Sequence, residues 1–306
     1  MFKVFSCLTE QHDYRLVLLA AVICAATSLT SFGIYSRATQ VQGLSKLGWL
    51  FLTGMSTGSG IWATHFVAML AYSAGLPTAY DPLLTAVSLL VAVGSTTFGY
   101  FVCSQGTRLD AGVGGALIGV GIGIMHFTGM RALIVPGTLN WDIPLVAVAL
   151  ILGAVFASAS MLTFYRNQNF RGIVAAAGLF TLAICSLHFT AMGAAVIEPD
   201  PTIVVQAFAA DASMMALAIA VITVLVLLAG LAAALIDRQT NQDSVDSIRE
   251  LVDAASEGIV IADDGVIVNV NRRVSELSGR SVEALIGTRI AGDLLDLMLR
   301  DRPRMV

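Results

Sequence analysis

Seven long apolar runs dominate this chain and leave it few places to fold except a lipid bilayer. They cover residues 16–35, 47–75, 83–103, 111–135, 144–165, 172–197 and 213–236. Each is near the ~20 residues that cross a hydrocarbon core. None alternates apolar with polar residues, so the runs read as helices rather than barrel strands. With 57% hydrophobic and only 12% charged residues among 306, an ordinary soluble domain is excluded. The fold expected is an all-α membrane protein of three tandem helix pairs plus a seventh helix, within residues 1–236. A net charge of −4 points away from nucleic acid. The four cysteines show no paired spacing, so neither a disulfide framework nor a zinc knuckle follows.

Lys and Arg in the loops set the orientation. One side carries Arg37, Lys46, Arg108, Arg166, Arg171 and Arg238. The three loops on the other hold Asp81, Asp142, Glu198, Asp200 and Asp211 without a Lys or Arg. The expectation is a multi-pass membrane protein, N-terminus external and C-terminus cytoplasmic.

A motif repeats three times within this frame: His65-Phe66-Val67-Ala68-Met69, His126-Phe127-Thr128-Gly129-Met130 and His188-Phe189-Thr190-Ala191-Met192. The histidines are 61 and then 62 residues apart, and the chain has only four. In a helix His at i and Met at i+4 share a face. All three copies fall on helices running the same way, the second, fourth and sixth. Each His stands 9 or 10 residues before its run ends, a common depth of roughly 13–15 Å at ~1.5 Å per residue.

Imidazole and thioether three times over make a ligand set. Thioether is a soft donor suited to Cu(I), and imidazole suits copper, zinc, iron and nickel. The lack of carboxylates at that depth disfavours Mg and Ca. The candidate metal ligands are therefore His65, Met69, His126, Met130, His188 and Met192, with copper the favoured ion. Met125, Cys185 and His12 are secondary candidates. A copper permease would place donors along the whole depth instead of at one level. A scaffold that dimerises effectors would use the histidines only as interhelical hydrogen-bond partners. Both stay open at this point, and no catalytic motif is present. Glu283-Ala284-Leu285 spells the signature of a phosphodiesterase domain, but nothing of domain size surrounds it.

Beyond residue 236 the composition turns polar. Val245, Ile248, Val252 and Ala255 form a short seam suited to a parallel helix pair, so residues 237–257 are expected to be a linker helix in a homodimer. Residues 258–262 read as a strand, Asp263-Asp264-Gly265 as a hairpin turn and residues 266–270 as the returning strand. A short helix over 272–278 ends at Gly279, and Ser281 caps another.

The triple motif on alternate helices resembles the MHYT family of bacterial integral-membrane sensor domains. Met125-His126-Phe127-Thr128 matches its Met-His-Tyr-Thr signature with Phe for Tyr, whereas Thr64 and Leu187 replace the leading Met in the other copies. That resemblance implies a copper site at the outer face sensing oxygen, carbon monoxide or nitric oxide. Glu257-Gly258-Ile259-Val260-Ile261, Asp264-Gly265, Asn269, Asn271 and Leu285-Ile286-Gly287 resemble the opening of a PAS domain, so residues 258–306 are expected to be an incomplete PAS-like segment. Members of the family commonly continue into domains that turn over cyclic di-GMP or into histidine kinases, and this chain is expected to be a fragment of a longer signalling protein of a bacterial inner membrane.

Overall fold

The computed structural model describes residues 12–73, 76–200, 212–254 and 257–290, the side chains of Ala212, Leu227, Ala234 and residues 237–254 excepted. Seven long helices follow one another: α1 (Tyr14–Ala38), α2 (Gly43–Ala71), α3 (Pro82–Cys103), α4 (Arg108–Ala132), α5 (Ile143–Arg166), α6 (Phe170–Ala194) and α7 (Ala212–Ala254). All but α2 are long and apolar enough to cross a membrane. The 29-residue α2 is long enough, but it carries Thr53, Ser56, Thr57 and Thr64, all buried. The hydroxyls of Thr53, Thr57 and Thr64 each return to the carbonyl four residues back, at 2.8 Å. The helix thereby satisfies three of its own buried hydroxyls, which helps it sit inside the bundle.

Helices α1 to α6 form three antiparallel pairs, and the pairs repeat one device. The backbone N–H of Asp13 donates to the carbonyl of Ala71, that of Asp81 to Ala132 and that of Asp142 to Ala194, at 2.8–2.9 Å. Each Asp caps the first helix of its pair, its carboxylate accepting from the N–H of Arg15, Leu84 or Leu145. Each carbonyl belongs to the last residue of the second helix. The preceding residues pair with the following ones in the same order: His12 with Tyr72, Tyr80 with Leu133, Trp141 with Ala195. In the latter two pairs the bridges extend into two-stranded antiparallel sheets, β1 (Ala79–Tyr80) with β2 (Leu133–Ile134) and β3 (Gly137–Trp141) with β4 (Ala195–Pro199).

Three further contacts join one pair to the next and close the series. Phe66 packs on Tyr80 with ring centroids 5.7 Å apart, Phe127 on Trp141 at 5.1 Å, and Phe189 on His12 at 5.6 Å. The third pair thus returns to the first, and α6 packs against α1. The result is a closed ring with approximate threefold repetition. Small residues set its seams. A Cβ on Gly58 would lie 2.6 Å from the Cα of Val93 on α3, and one on Gly119 would lie 2.6 Å from the Cα of Ala154 on α5. Only glycine lets backbones approach so closely.

The structure ends α2, α4 and α6 earlier than the apolar runs do, at Ala71, Ala132 and Ala194, because the chain there passes into paired extended segments. Each motif His lies six residues before its helix end, ~9 Å rather than roughly 13–15 Å at ~1.5 Å per residue. All three shift together, so the common level stands. Helix α7 continues without a break past residue 236 to Ala254, within the expected linker. Met215, Ile219, Val226 and Ala233 form its buried face, and a Cβ on Gly230 would collide with Thr30 of α1. The expected dimer seam falls on residues whose side chains, and in part whose backbone, are outside the described set.

The chain divides into a unit over residues 1–234 and a second over 235–306. In the second, β5 (Val260–Asp263) and β6 (Val266–Val270) form a hairpin, followed by α8 (Arg272–Ser278) and α9 (Val282–Leu285). Asp264 and Gly265 both have positive φ, 48° and 78°, which a two-residue turn of right-handed twist requires. Asn271 ties the unit together. Its side chain accepts from the N–H of Val274 and of Ile259 and donates to the Glu257 carbonyl. Ile267, Val270, Val274 and Leu285 form the small core.

Candidate metal centre

The ring brings His65, His126 and His188 to one point near its axis. Their centroids form a nearly equilateral triangle of 4.8, 5.1 and 5.4 Å, with each pair close to perpendicular. All three are buried, at 3%, 1% and 5% exposure. The Nδ1 of His65 lies 3.1 Å from that of His126 and 3.4 Å from that of His188. Among the described residues the three Nε2 atoms have no hydrogen-bond partner.

This arrangement is poorly satisfied by the rings alone. A neutral imidazole offers one N–H and one lone pair. The Nδ1 of His65 faces two other Nδ1 atoms, and one shared proton serves only one such contact well. If the protons sit on Nε2 instead, three lone pairs converge without a donor. A cation held by the three Nδ1 atoms removes that conflict. Two ligands of a tetrahedral ion with metal–nitrogen bonds of ~2.0 Å are roughly 3.3 Å apart, close to the 3.1 and 3.4 Å found. Two of the three separations thus match a first-row transition metal, the three donor atoms lie within 4.8 Å of one another, and histidine-only ligation admits copper, zinc, iron or nickel.

One further residue allows the cluster to form. Gly129, within the second motif, faces His65, and a Cβ there would stand 2.5 Å from Nε2 and 3.0 Å from Cδ2 of that ring. The motif's small position thus makes room for a histidine from another repeat. The signal for it was present in the sequence as the Ala68/Gly129/Ala191 position. The Asp13, Asp81 and Asp142 caps went unrecognised, although Asp81 and Asp142 recur at nearly the spacing of the histidines.

The other candidates separate into two groups. Met125 and Cys185 line a small cavity together with all three histidines, bounded also by Val17, Ala21 and Phe189. Met69, Met130 and Met192 are buried at 2%, 0% and 2% exposure but do not border that cavity. His12 packs on Tyr72 and Phe189 above the cluster, in the place that Tyr80 and Trp141 take in the other repeats.

With this geometry in hand, the family comparison is specific. Residues 58–115 and 119–177 match MHYT, the bacterial signalling protein N terminal repeat, and residues 246–304 match a PAS domain. The chain carries MHYT repeats followed by a PAS domain. His65 and His126 fall within the two matched repeats; His188 lies beyond them and joins through the sequence repeat and the ring closure. The chain is similar to a signalling protein of Caulobacter vibrioides, with 38% identity over 96% of the chain and 37% of the relative. It also resembles two proteins of Pseudomonas aeruginosa over 61% of its length. These are the bifunctional diguanylate cyclase/cyclic di-GMP phosphodiesterase MucR, at 37% identity over 28% of that protein, and the cyclic di-GMP phosphodiesterase NbdA, at 31% over 25%. The chain thus spans roughly a quarter to a third of the length of these relatives. No solved structure matches it.

Proposed function

We propose that residues 1–236 are a seven-span sensory module of a bacterial inner membrane that binds a metal ion, copper in the first instance, through Nδ1 of His65, His126 and His188. The observation that carries this reading is the convergence of three buried histidines, the Nδ1 of His65 at 3.1 and 3.4 Å from those of His126 and His188, with no other hydrogen-bond partner for the rings among the described residues. Loop charge favours an external N-terminus and a cytoplasmic C-terminus, which sets the site in the outer leaflet half. When bound, a copper ion with three protein ligands offers a further position to a small molecule such as oxygen, carbon monoxide or nitric oxide. The adjoining cavity gives such a molecule a place beside the rings. Met125 and Cys185 are the soft donors nearest that position. Met69, Met130 and Met192 are assigned to packing.

The output is a bias on α7 and the C-terminal unit. Helix α1 borders the cavity through Val17, Ala20 and Ala21 and meets α7 at Thr30 and Gly230. A ligand that favours one arrangement of α1 thereby favours one arrangement of α7. The C-terminal segments pair in a homodimer and pass this bias to a catalytic region of the cyclic di-GMP class, as the names of the Pseudomonas relatives lead one to expect. The test is metal analysis of detergent-purified protein beside a His65→Ala/His126→Ala/His188→Ala variant of unchanged helicity. The reading predicts about one ion per chain in the first and a loss of tenfold or more in the second. Equal content in both would leave the histidines as interhelical glue. Copper flux into liposomes above background would make the module a permease.

A further inference from the structure

The three seams of the ring are not alike. Seven residues before the motif His, the first two repeats place Gly58 and Gly119, each against a neighbouring backbone, and the third places Thr181. The Thr181 hydroxyl lies 3.3 Å from that of Ser28 on α1 and also donates to the Ala177 carbonyl. A threonine where its counterparts are glycine holds α6 off α1, and the cavity beside the histidines lies along this seam. One turn from the Ser28–Thr181 pair, in the same antiparallel register, stand Cys24 and Cys185, one on each side of the seam. One more turn along, Ala20 and Phe189 both border the cavity. Cys24 is buried and borders an adjoining cavity, while Cys185 is half-buried and borders the one that holds the histidines.

We infer that Cys24 and Cys185 are a redox pair that forms a reversible disulfide across the α1–α6 seam. In the oxidation each thiol gives up its proton and one electron, a sulfur–sulfur bond forms, and two Cu(II) ions each accept one electron to become Cu(I). A thiol or dithiol reductant reverses it. Only the choice of Cu(II) as oxidant rests on the metal reading above; the pairing rests on the helix register and on the two adjoining cavities that the cysteines border. The bridge fixes α1 to α6 on the one seam that glycine does not close, beside the helix on which α7 leans. Two soft sulfur atoms beside a histidine triad are thereby given a role the triad alone does not need.

The test treats the full chain in native membranes or detergent with Cu(II) and, separately, with diamide. Free thiols are then alkylated under denaturing conditions and mapped by mass spectrometry. The expected result is loss of two of the four cysteine adducts, a linked Cys24–Cys185 peptide pair, its reversal by dithiothreitol, and its absence in C24S and C185S. Full alkylation of both cysteines after both oxidants, or linkage of either to Cys7 or Cys103 instead, would overturn the inference. If diamide forms the bridge and Cu(II) does not, the redox pair stands and Cu(II) is ruled out as its oxidant, while metal content separately decides the copper reading. A bridge formed by Cu(II) equally well in the triple His→Ala variant also supports the pair and separates it from the triad.

Discussion

Replacing Gly129 by Ala adds one methyl group where the ring of His65 passes. The new carbon would lie 2.5 Å from Nε2 and 3.0 Å from Cδ2, whereas ordinary contact begins near ~3.5 Å. The ring must therefore retreat by about 1 Å. Metal–ligand distances tolerate only about 0.2 Å, so His65 is lost as a well-placed donor while His126 and His188 remain. Changes of this kind beside a ligand cost roughly 10- to 100-fold in metal affinity, or about 1.4–2.8 kcal/mol. The fold should survive, because overpacking costs about 1–3 kcal/mol and Ala regains up to about 1 kcal/mol of helix propensity over Gly. Competition titration against a chromophoric copper chelator measures the loss, with circular dichroism confirming unchanged helicity. Ala191→Gly, at the same place in the third repeat, is the control and should stay within a few-fold of wild type. An affinity for G129A within twofold of wild type would refute the argument that the small position exists to seat a neighbouring histidine.

Three other changes discriminate between parts of the account. Met125→Leu should weaken copper binding several-fold or shift the bound ion's spectrum, while Met69→Leu, Met130→Leu and Met192→Leu should not; similar effects from all four, by the same titration, would restore the downstream methionines as ligands. Gly230→Ala pushes a methyl into Thr30 and should leave copper affinity unchanged while altering the proposed ligand-dependent output, read as cyclic di-GMP turnover in a fusion of this chain to a diguanylate cyclase; unaltered output would show that α7 is not driven from α1. Asn271→Ala removes one helix cap and two ties to residues 257 and 259, costing about 1–3 kcal/mol, seen as faster hydrogen exchange in residues 257–279 with none in α1 to α6.

The helices were legible because the bilayer demands long unbroken apolar runs, and the His-Phe-x-small-Met spacing fixed which of them carry the site. Helix ends were read too late on α2, α4 and α6, since residues such as Leu133 and Ile134 are as apolar as the helix itself and turn aside only because Tyr80 and Ala79 pair with them. A seventh span ending at residue 236 and a linker helix over 237–257 were expected as separate elements, and the structure joins them in one helix that continues to Ala254. A linear repeat also does not reveal that its third member closes on its first; that depends on His12 standing where Tyr80 and Trp141 stand, a likeness of position rather than of residue type. For the site, the histidines were legible from spacing and scarcity. The i+4 rule placed each Met on its own histidine's face, but all three rings turn to the ring axis, where the residue before His126 and the residue three before His188 border the cavity.

X-ray absorption at the copper edge of the loaded, purified protein tests the central claim most directly. Three nitrogen scatterers at roughly 2 Å, with imidazole outer-shell features that vanish in the triple His→Ala variant, are the predicted result. A first shell made of sulfur alone, or a spectrum unchanged by loss of the three histidines, would contradict it.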